Sequence, residues 1–309
     1  MITINLSQSA LGYHGCILEF KRTAIDGYYT LPSSQIVYGE AIHKYRHIMF
    51  QTGGHIPTAR EEAIKVFNQP KTLPSSRSGH LADQNHMLTT CFNFWELFVK
   101  DIDKDLEYLL LNGKPATEVS FSIKYYQDDY ITVNLCGTLD GIAKVRGGCY
   151  IIPDLKTTSS WDKEGYFGTY KLSRQLRLYI LALKLMAKMH PESILGQVGA
   201  TKVGTRIDGL FIKPAPNDNK YVSSDVFQYT DSDIEEFQKT LDYKIEQISA
   251  AVKDNHWPKQ GILNNSCIGK WGLCSFSNAC AASSNEVSEL LLNRDFKKRD
   301  FNPLNYSGL

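Results

Sequence analysis

Gly137-Thr-Leu-Asp-Gly141, Cys149-Tyr-Ile-Ile-Pro-Asp-Leu-Lys-Thr-Thr158 and Gln175-Leu-Arg-Leu-Tyr179 follow one another in a stretch that predicts strand, strand and helix. The second piece is apolar and aromatic enough for a buried strand, and Ile131-Thr-Val-Asn-Leu135 running into Gly137 supplies the strand before it. Strand side chains alternate with period two, so Asp154 and Lys156 share a face and point into one pocket. Asp140 falls near the turn between the two strands. Two acidic residues on adjacent strands can hold a hard divalent cation. A lone Asp-x-Lys is also a common solvated edge pair, so the weight rests on the order and spacing of the neighbouring motifs.

Upstream, Tyr38-Gly-Glu-Ala-Ile-His43 opens a helix expected over Gly39–Gln51, with His47 one turn beyond His43 as a competing candidate. Strands are expected at Glu118–Tyr126, Tyr130–Cys136 and Cys149–Leu155, then a helix at Ser173–Met189. Gln175 and Tyr179 lie one turn apart on that helix, where Leu172, Leu176, Tyr179 and Leu183 also read as a core stripe. A helix over Gln84–Asp103 would set Met87, Cys91, Phe94, Leu97 and Phe98 on one face. Further strands are expected at Ile207–Lys213 and Val226–Tyr229, and a long helix at Asp231–Lys253 with an acidic first turn. Leu73–Gly79 and Lys213–Lys220 read as loops.

A second constellation is made of thiols. Cys267, Cys274 and Cys280 form C-x6-C-x5-C in a short stretch rich in glycine and asparagine, and Cys16 is available as a fourth ligand near the other end of the chain. Three thiols in a loop suggest an iron–sulfur cluster or zinc, because thiolate is the preferred ligand of both. Ordinary buried or free thiols are the alternative. The opening Met1-Ile-Thr-Ile-Asn-Leu-Ser7 lacks a basic region and a long apolar run, so no secretory signal is expected, and seven cysteines is an odd number. Both observations favour a reducing compartment over a disulfide framework. Cys91, Cys136 and Cys149 sit in apolar contexts and read as core.

Four motifs in this order resemble the PD-(D/E)XK phosphodiesterase superfamily, and within it the RecB-like exonuclease branch. The matching residues are Asp140 in Gly-Thr-Leu-Asp-Gly, Asp154-Leu-Lys156 followed by Thr157-Thr158, Gln175-x-x-x-Tyr179, and the helix running from Gly39 to His43. The resemblance implies a restriction-endonuclease-like α/β fold, a central mixed sheet flanked by helices. It also implies a helical N-terminal embellishment, and a C-terminal cysteine-rich loop closing onto the N-terminus. It implies one or two Mg²⁺ or Mn²⁺ ions on His43, Asp140, Asp154 and the carbonyl of Leu155, with Lys156 orienting or helping to deprotonate the attacking water and stabilising the developing charge. Gln175 and Tyr179 would face the groove and position the substrate strand. Glu118 stands where relatives often carry a glutamate, without an assigned role. The split of one early and three late cysteines is similar to CRISPR-associated and phage exonucleases and AddB-type nuclease domains, in which a 4Fe–4S cluster staples the chain ends. Here Trp271 stands where a C-x2-C-x5-C pattern would place a ligand, so Cys267 would serve in its stead.

The chain has 309 residues, 42% of them hydrophobic, enough for one substantial core. We expect a single nuclease domain over residues 1–309, with a helical insertion at 52–110, a catalytic core at 118–190 and an iron–sulfur staple at 16 and 267–280. No apolar run approaches the roughly 20 residues that span a bilayer, which predicts a soluble, cytoplasmic protein, in the bacterial host cell if phage-encoded. The net charge of +1 is not the strong basic bias of many nucleic-acid binders. Local clusters do occur, at Lys171, Arg174, Arg177 and Lys184, at Lys21-Arg22, and at Phe296-Lys-Lys-Arg-Asp300. Trp161, Tyr166, Phe167 and Tyr170 could stack on unpaired bases or pack the loop before the Gln175 helix. The expected function is a Mg²⁺- or Mn²⁺-dependent DNA exonuclease acting on single-stranded ends in recombination, repair or genome processing. With no Walker loop, unwinding would come from a helicase or recombination partner. The alternatives are a non-cutting DNA- or partner-binding subunit, and an endonuclease of the same superfamily.

Overall fold

Parallel strands need a crossover of a dozen residues or more, and the chain between Thr158 and Val203 supplies one made of helices. The computed structural model describes residues 1–12, 15–72, 88–90, 92–93, 103–146, 148–213, 218–269 and 272–299. Its longer elements, in chain order, begin with strand β1 (Ile2–Leu6) and helices α1 (Ser34–Gln51) and α2 (Ile56–Phe67). Strands β2 (Leu106–Tyr108), β3 (Thr117–Gln127), β4 (Ile131–Gly141), β5 (Ala143–Val145) and β6 (Tyr150–Thr158) follow. Helices α3 (Lys163–Gly168), α4 (Arg174–Met189) and α5 (Ile194–Gly199) lead to strands β7 (Val203–Phe211) and β8 (Lys220–Ser223), then to helices α6 (Asp231–Lys253) and α7 (Asn285–Asp295). The chain divides into two compact groups, one of Met1–Thr30, Ser120–Gly137 and Glu235–Ser307, the other of Leu31–Val119, Thr138–Ile234 and Gly308–Leu309.

The second group is built on a mixed five-stranded sheet of order β8-β7-β6-β5-β2. β6 and β7 are parallel, and the other pairings are antiparallel. Every residue of β7 is buried, as expected of a parallel strand covered on both faces. On one face Leu155 and Leu210 pack against Tyr38, Ala41, Ile42, Tyr45 and Met49 of α1 and Ala59, Ala63 and Phe67 of α2. The opposite face carries Asp154 and Lys156, paired in register with Ile207 and Gly209. Local signals start the helices: Ser33 accepts from the Ile36 N–H, Asp162 from Gly165 and Ser173 from Leu176.

A three-stranded sheet has the order β1-β4-β3, with β1 parallel to β4, and β1 with Ser120–Gln127 and Ile131–Gly137 of that sheet belong to the first group. The Tyr125 hydroxyl donates to Asp242 of α6 at 2.5 Å. Two segments distant in sequence meet here, since Tyr28–Tyr29 pairs antiparallel with Lys297–Lys298 beside a small core of Tyr28, Phe276, Ala279 and Leu292.

This is the mixed α/β architecture expected, sheets flanked by helices, and Asp231–Lys253 is helical over its full expected length. Several details differ. β4 continues to Gly141, so Asp140 lies in the strand and not in the turn after it. α1 begins at Ser34, because the Ser33 cap outranks the motif glycine as a start signal. Val226–Tyr229 is no strand: Phe227 makes an isolated bridge to Thr205, and the antiparallel partner of β7 is Lys220–Ser223. Leu172 is 81% exposed in the turn before α4 and takes no part in a core stripe. Of the helix expected at Gln84–Asp103, residues 88–90 and 92–93 are helical and Asp103 opens a short 3₁₀ turn; most of the rest, with Met87, Cys91, Phe94, Leu97 and Phe98, lies outside the described residues. The Leu73–Gly79 loop lies outside them too. No described helix is long and apolar enough to cross a membrane.

Candidate metal-dependent hydrolytic site

Along β6, β5 reaches only Tyr150 and Ile151. Further along β6 a side chain takes over as partner: Asp140 Oδ2 accepts the Leu155 N–H at 2.7 Å. The two acidic strands are thus joined by a carboxylate and not by a continuous ladder. The Leu155 carbonyl lies 3.1 Å from His43 Nε2, brought there by α1. His43 Nδ1 is 3.4 Å from Asp140 Oδ2 and 3.4 Å from Glu118 Oε1. Ligand atoms of His43, Glu118 and Asp140 all fall within 4.8 Å of one another, the one such cluster of three or more among the described residues.

Electrostatics follow from this crowding. Burial works against a charge on His43, but Asp140 and Glu118 outweigh it and raise the imidazole to about 9. His47, one turn on, is a different case. Its Nδ1 lies 2.9 Å from the Thr117 hydroxyl, and burial with Lys44 and Lys114 nearby lowers it to about 4. His47 does not reach the carboxylates that surround His43.

Asp154 is fully buried, and its Oδ2 pairs with Lys156 Nζ at 2.6 Å. Gln175 Nε2 donates to Asp154 Oδ1 at 3.2 Å and to the Tyr179 hydroxyl at 2.7 Å. Tyr179 is only 4% exposed, so it braces Gln175 from within the core. Burial holds the Asp154 carboxyl above the usual carboxylate range, with Lys156 opposing. Burial also disfavours charge on Lys156, but Asp154 and Asp140 more than compensate and raise it. The Lys156 side chain is 24% exposed, so its ammonium stands at the rim of the site.

The sequence-derived residues His43, Asp140, Leu155, Asp154, Lys156, Gln175 and Tyr179 therefore lie in one connected region of the second group. The addition is Glu118, which completes the cluster. It takes φ +52°, a left-handed conformation uncommon for a residue with a side chain, at the start of β3. That break in strand geometry defeats period-two reasoning, and its sequence position was the only available signal. An imidazole, two carboxylates and a main-chain carbonyl form a donor set suited to Mg²⁺ or Mn²⁺. Trp161 is 79% exposed, with Lys213 Nζ 3.6 Å from its ring centroid.

The thiols converge separately, within the first group. Burial raises the Cys267 thiol, and Cys16 and Cys280 raise it further. Cys274 is raised to about 11 by burial, with Glu19 and Cys280 adding to it. Arg22 Nη1 donates to Cys280 Sγ at 3.0 Å, and the Cys274 N–H donates to the Cys267 carbonyl at 2.8 Å. A Cβ at Gly261 would stand 2.8 Å from Cys267 Sγ, so the close approach requires glycine there. Asn264 Nδ2 donates to the Gly15 carbonyl at 2.5 Å, closing the cysteine-rich loop onto the segment that bears Cys16. Four soft donors of this kind fit an iron–sulfur cluster or zinc.

The family model of the PD-(D/E)XK nuclease superfamily matches residues 5–281. No curated protein matches the chain. Among solved structures, the crystal structure of SSO0001 aligns with 68% of this chain and 74% of that chain, at 12% identity and a TM-score of 0.30, too slight a likeness to carry weight.

Proposed function

The chain belongs to the PD-(D/E)XK nuclease superfamily, a family of metal-dependent nucleases, and from that premise we propose that it is a DNA exonuclease of the RecB-like branch. The observation that carries this reading is the convergence of His43, Glu118 and Asp140 beside the Asp154–Lys156 ion pair. His43, Glu118, Asp140 and the Leu155 carbonyl would hold Mg²⁺ or Mn²⁺, which when bound supplies a Lewis acid and an acidified water for phosphodiester hydrolysis. The chain's own groups do the rest. Asp140 fixes the β6 main chain through the Leu155 N–H, which sets the Leu155 carbonyl toward His43. Gln175, held by Tyr179, fixes the Asp154 carboxylate, and Asp154 in turn holds Lys156. With its affinity for protons raised, Lys156 stays an ammonium, which suits it to orienting water and stabilising negative charge on the phosphate.

Single-stranded DNA ends are the favoured substrate, supported by the exposed face of Trp161, since aromatic faces stack on unpaired bases. A 4Fe–4S cluster on Cys16, Cys267, Cys274 and Cys280 is the favoured occupant of the thiol cluster. Its support is the split of one early and three late cysteines, brought together within the first group. A role in recombination, repair or genome processing, in the cytoplasm and beside a partner that unwinds DNA, agrees with these assignments.

The test is digestion of end-labelled linear single-stranded DNA beside its closed circular form in Mn²⁺. Loss of the linear form alone is expected. Loss of both would make the protein an endonuclease, and loss of neither would favour a binding subunit that does not cut.

A further inference from the structure

We propose that the hydrogen-bonded hydroxyls of Tyr166 and Tyr170 form a positioning device that presents the substrate phosphodiester to Lys156. This deepens the nuclease reading above and rests on it. Lys156 pairs with Gly209 and Thr158 with Phe211, so these four residues share a face of the sheet with Asp154. α3 lies on that face. A Cβ at Gly209 would stand 3.3 Å from the Phe167 ring and 2.9 Å from the Phe211 ring, which leaves only glycine room beside Lys156. Phe211 meets the Phe167 ring at 5.8 Å and the Tyr166 ring at 5.5 Å, edge-on in both cases.

Tyr170 follows Tyr166 by one turn, and the two rings pack edge-on with centroids 5.4 Å apart. Their hydroxyl oxygens lie 3.0 Å apart. Packing alone would be served by phenylalanine, as Phe167 and Phe211 show in the same cluster. Two phenols that bond each other use one O–H hydrogen between them and leave the second for a ligand. Both residues are only partly buried, so a ligand can reach them. Both also lie within electrostatic reach of the site: Asp154 acts on each, and Lys156 acts on Tyr166. Burial, the largest influence on both, keeps them protonated at neutral pH, so the pair is a donor and not a base. A neutral O–H donor beside an ammonium suits an anionic phosphodiester oxygen, and the rings lock its direction.

The experiment uses Tyr166→Phe, Tyr170→Phe and the double variant, which keep the rings and remove the hydroxyls. Single-turnover cleavage of an end-labelled single strand in Mn²⁺ reads the chemical step, and fluorescence anisotropy of the same strand in Ca²⁺ reads affinity. Each single variant should slow the step about 10-fold, as expected for a lost hydrogen bond to a charged group. The double variant should be within about 2-fold of the slower single, because breaking either half disables the pair. Affinity and Tm should hold. A double variant that cuts at the wild-type rate overturns the proposal, as does a loss confined to affinity or Tm. Failure of the wild type to cut any strand overturns the nuclease reading itself.

Discussion

At the scale of single residues, two histidines one turn apart on α1 are driven in opposite directions by what faces them. His43 meets two carboxylates that outweigh its burial and is raised to about 9, while burial, helped by Lys44 and Lys114, lowers His47 to about 4. The sign of the His47 contribution follows from linkage. Its folded pKa lies below its unfolded value of about 6.5, so the unfolded chain binds the proton first, and stability present above pH 6.5 is lost as pH falls toward 4. His43, whose folded value is raised, works the other way: its contribution is present below about pH 6.5 and is lost as pH rises toward 9, mostly outside that window. Allowing for partial exposure, His47→Gln should remove roughly 1–2 kcal/mol of pH-dependent stability between pH 6.5 and 4. Thermal melts across that range would show it as a flatter curve of Tm against pH, and an unchanged curve would reject the assignment. Asp154 and Lys156 were legible because strand alternation is a rigid rule, and His43 because its helix carries a motif. Glu118 was not, since its positive φ breaks the alternation by which a strand residue's direction is read.

At the scale of elements, β7 carries an ion pair with little access to water. Arg206 Nε donates to Asp208 Oδ1 at 2.8 Å, Ser223 donates to the same oxygen at 2.7 Å, and Asp105 approaches Arg206 Nη1 at 3.4 Å. Removing one partner of such a pair leaves a buried charge. Asp208→Ala should cost about 3–5 kcal/mol in denaturant unfolding, and an apolar replacement of both residues should recover most of it. A cost near zero for the single variant would mean that Asp105 and water suffice for Arg206. This network also explains an error of sequence reading. A strand is expected at Val226–Tyr229, yet the antiparallel partner of β7 is the polar Lys220–Ser223, fixed by Ser223 on Asp208 and by the register with β7. α2 lies within residues 52–110, expected as a helical insertion, but its bounds were not legible: its buried positions Ala59, Ala63 and Phe67 keep helical spacing, yet two of them are too small to register as an apolar stripe.

At the scale of the whole molecule, segments distant in sequence are gathered into one compact group, where the proposed cluster would tie Cys16 to Cys267, Cys274 and Cys280. A crosslink that closes so long a loop stabilises mainly by limiting the unfolded chain. Cys274→Ser should therefore lose the brown colour and iron content of the purified protein and lower its Tm by several degrees. Full iron content with an unchanged Tm would remove the cluster assignment. The residues proposed for catalysis lie in the other group, so this variant and the active-site variants test separate proposals. The most direct single measurement is the rate at which Lys156→Ala degrades linear single-stranded DNA in Mn²⁺, set against wild type and an EDTA control. We expect wild-type cleavage that EDTA stops, and a folded variant slowed roughly 100-fold or more, as for loss of a group that stabilises developing charge. A folded Lys156→Ala protein that cuts at the wild-type rate would contradict the site described here.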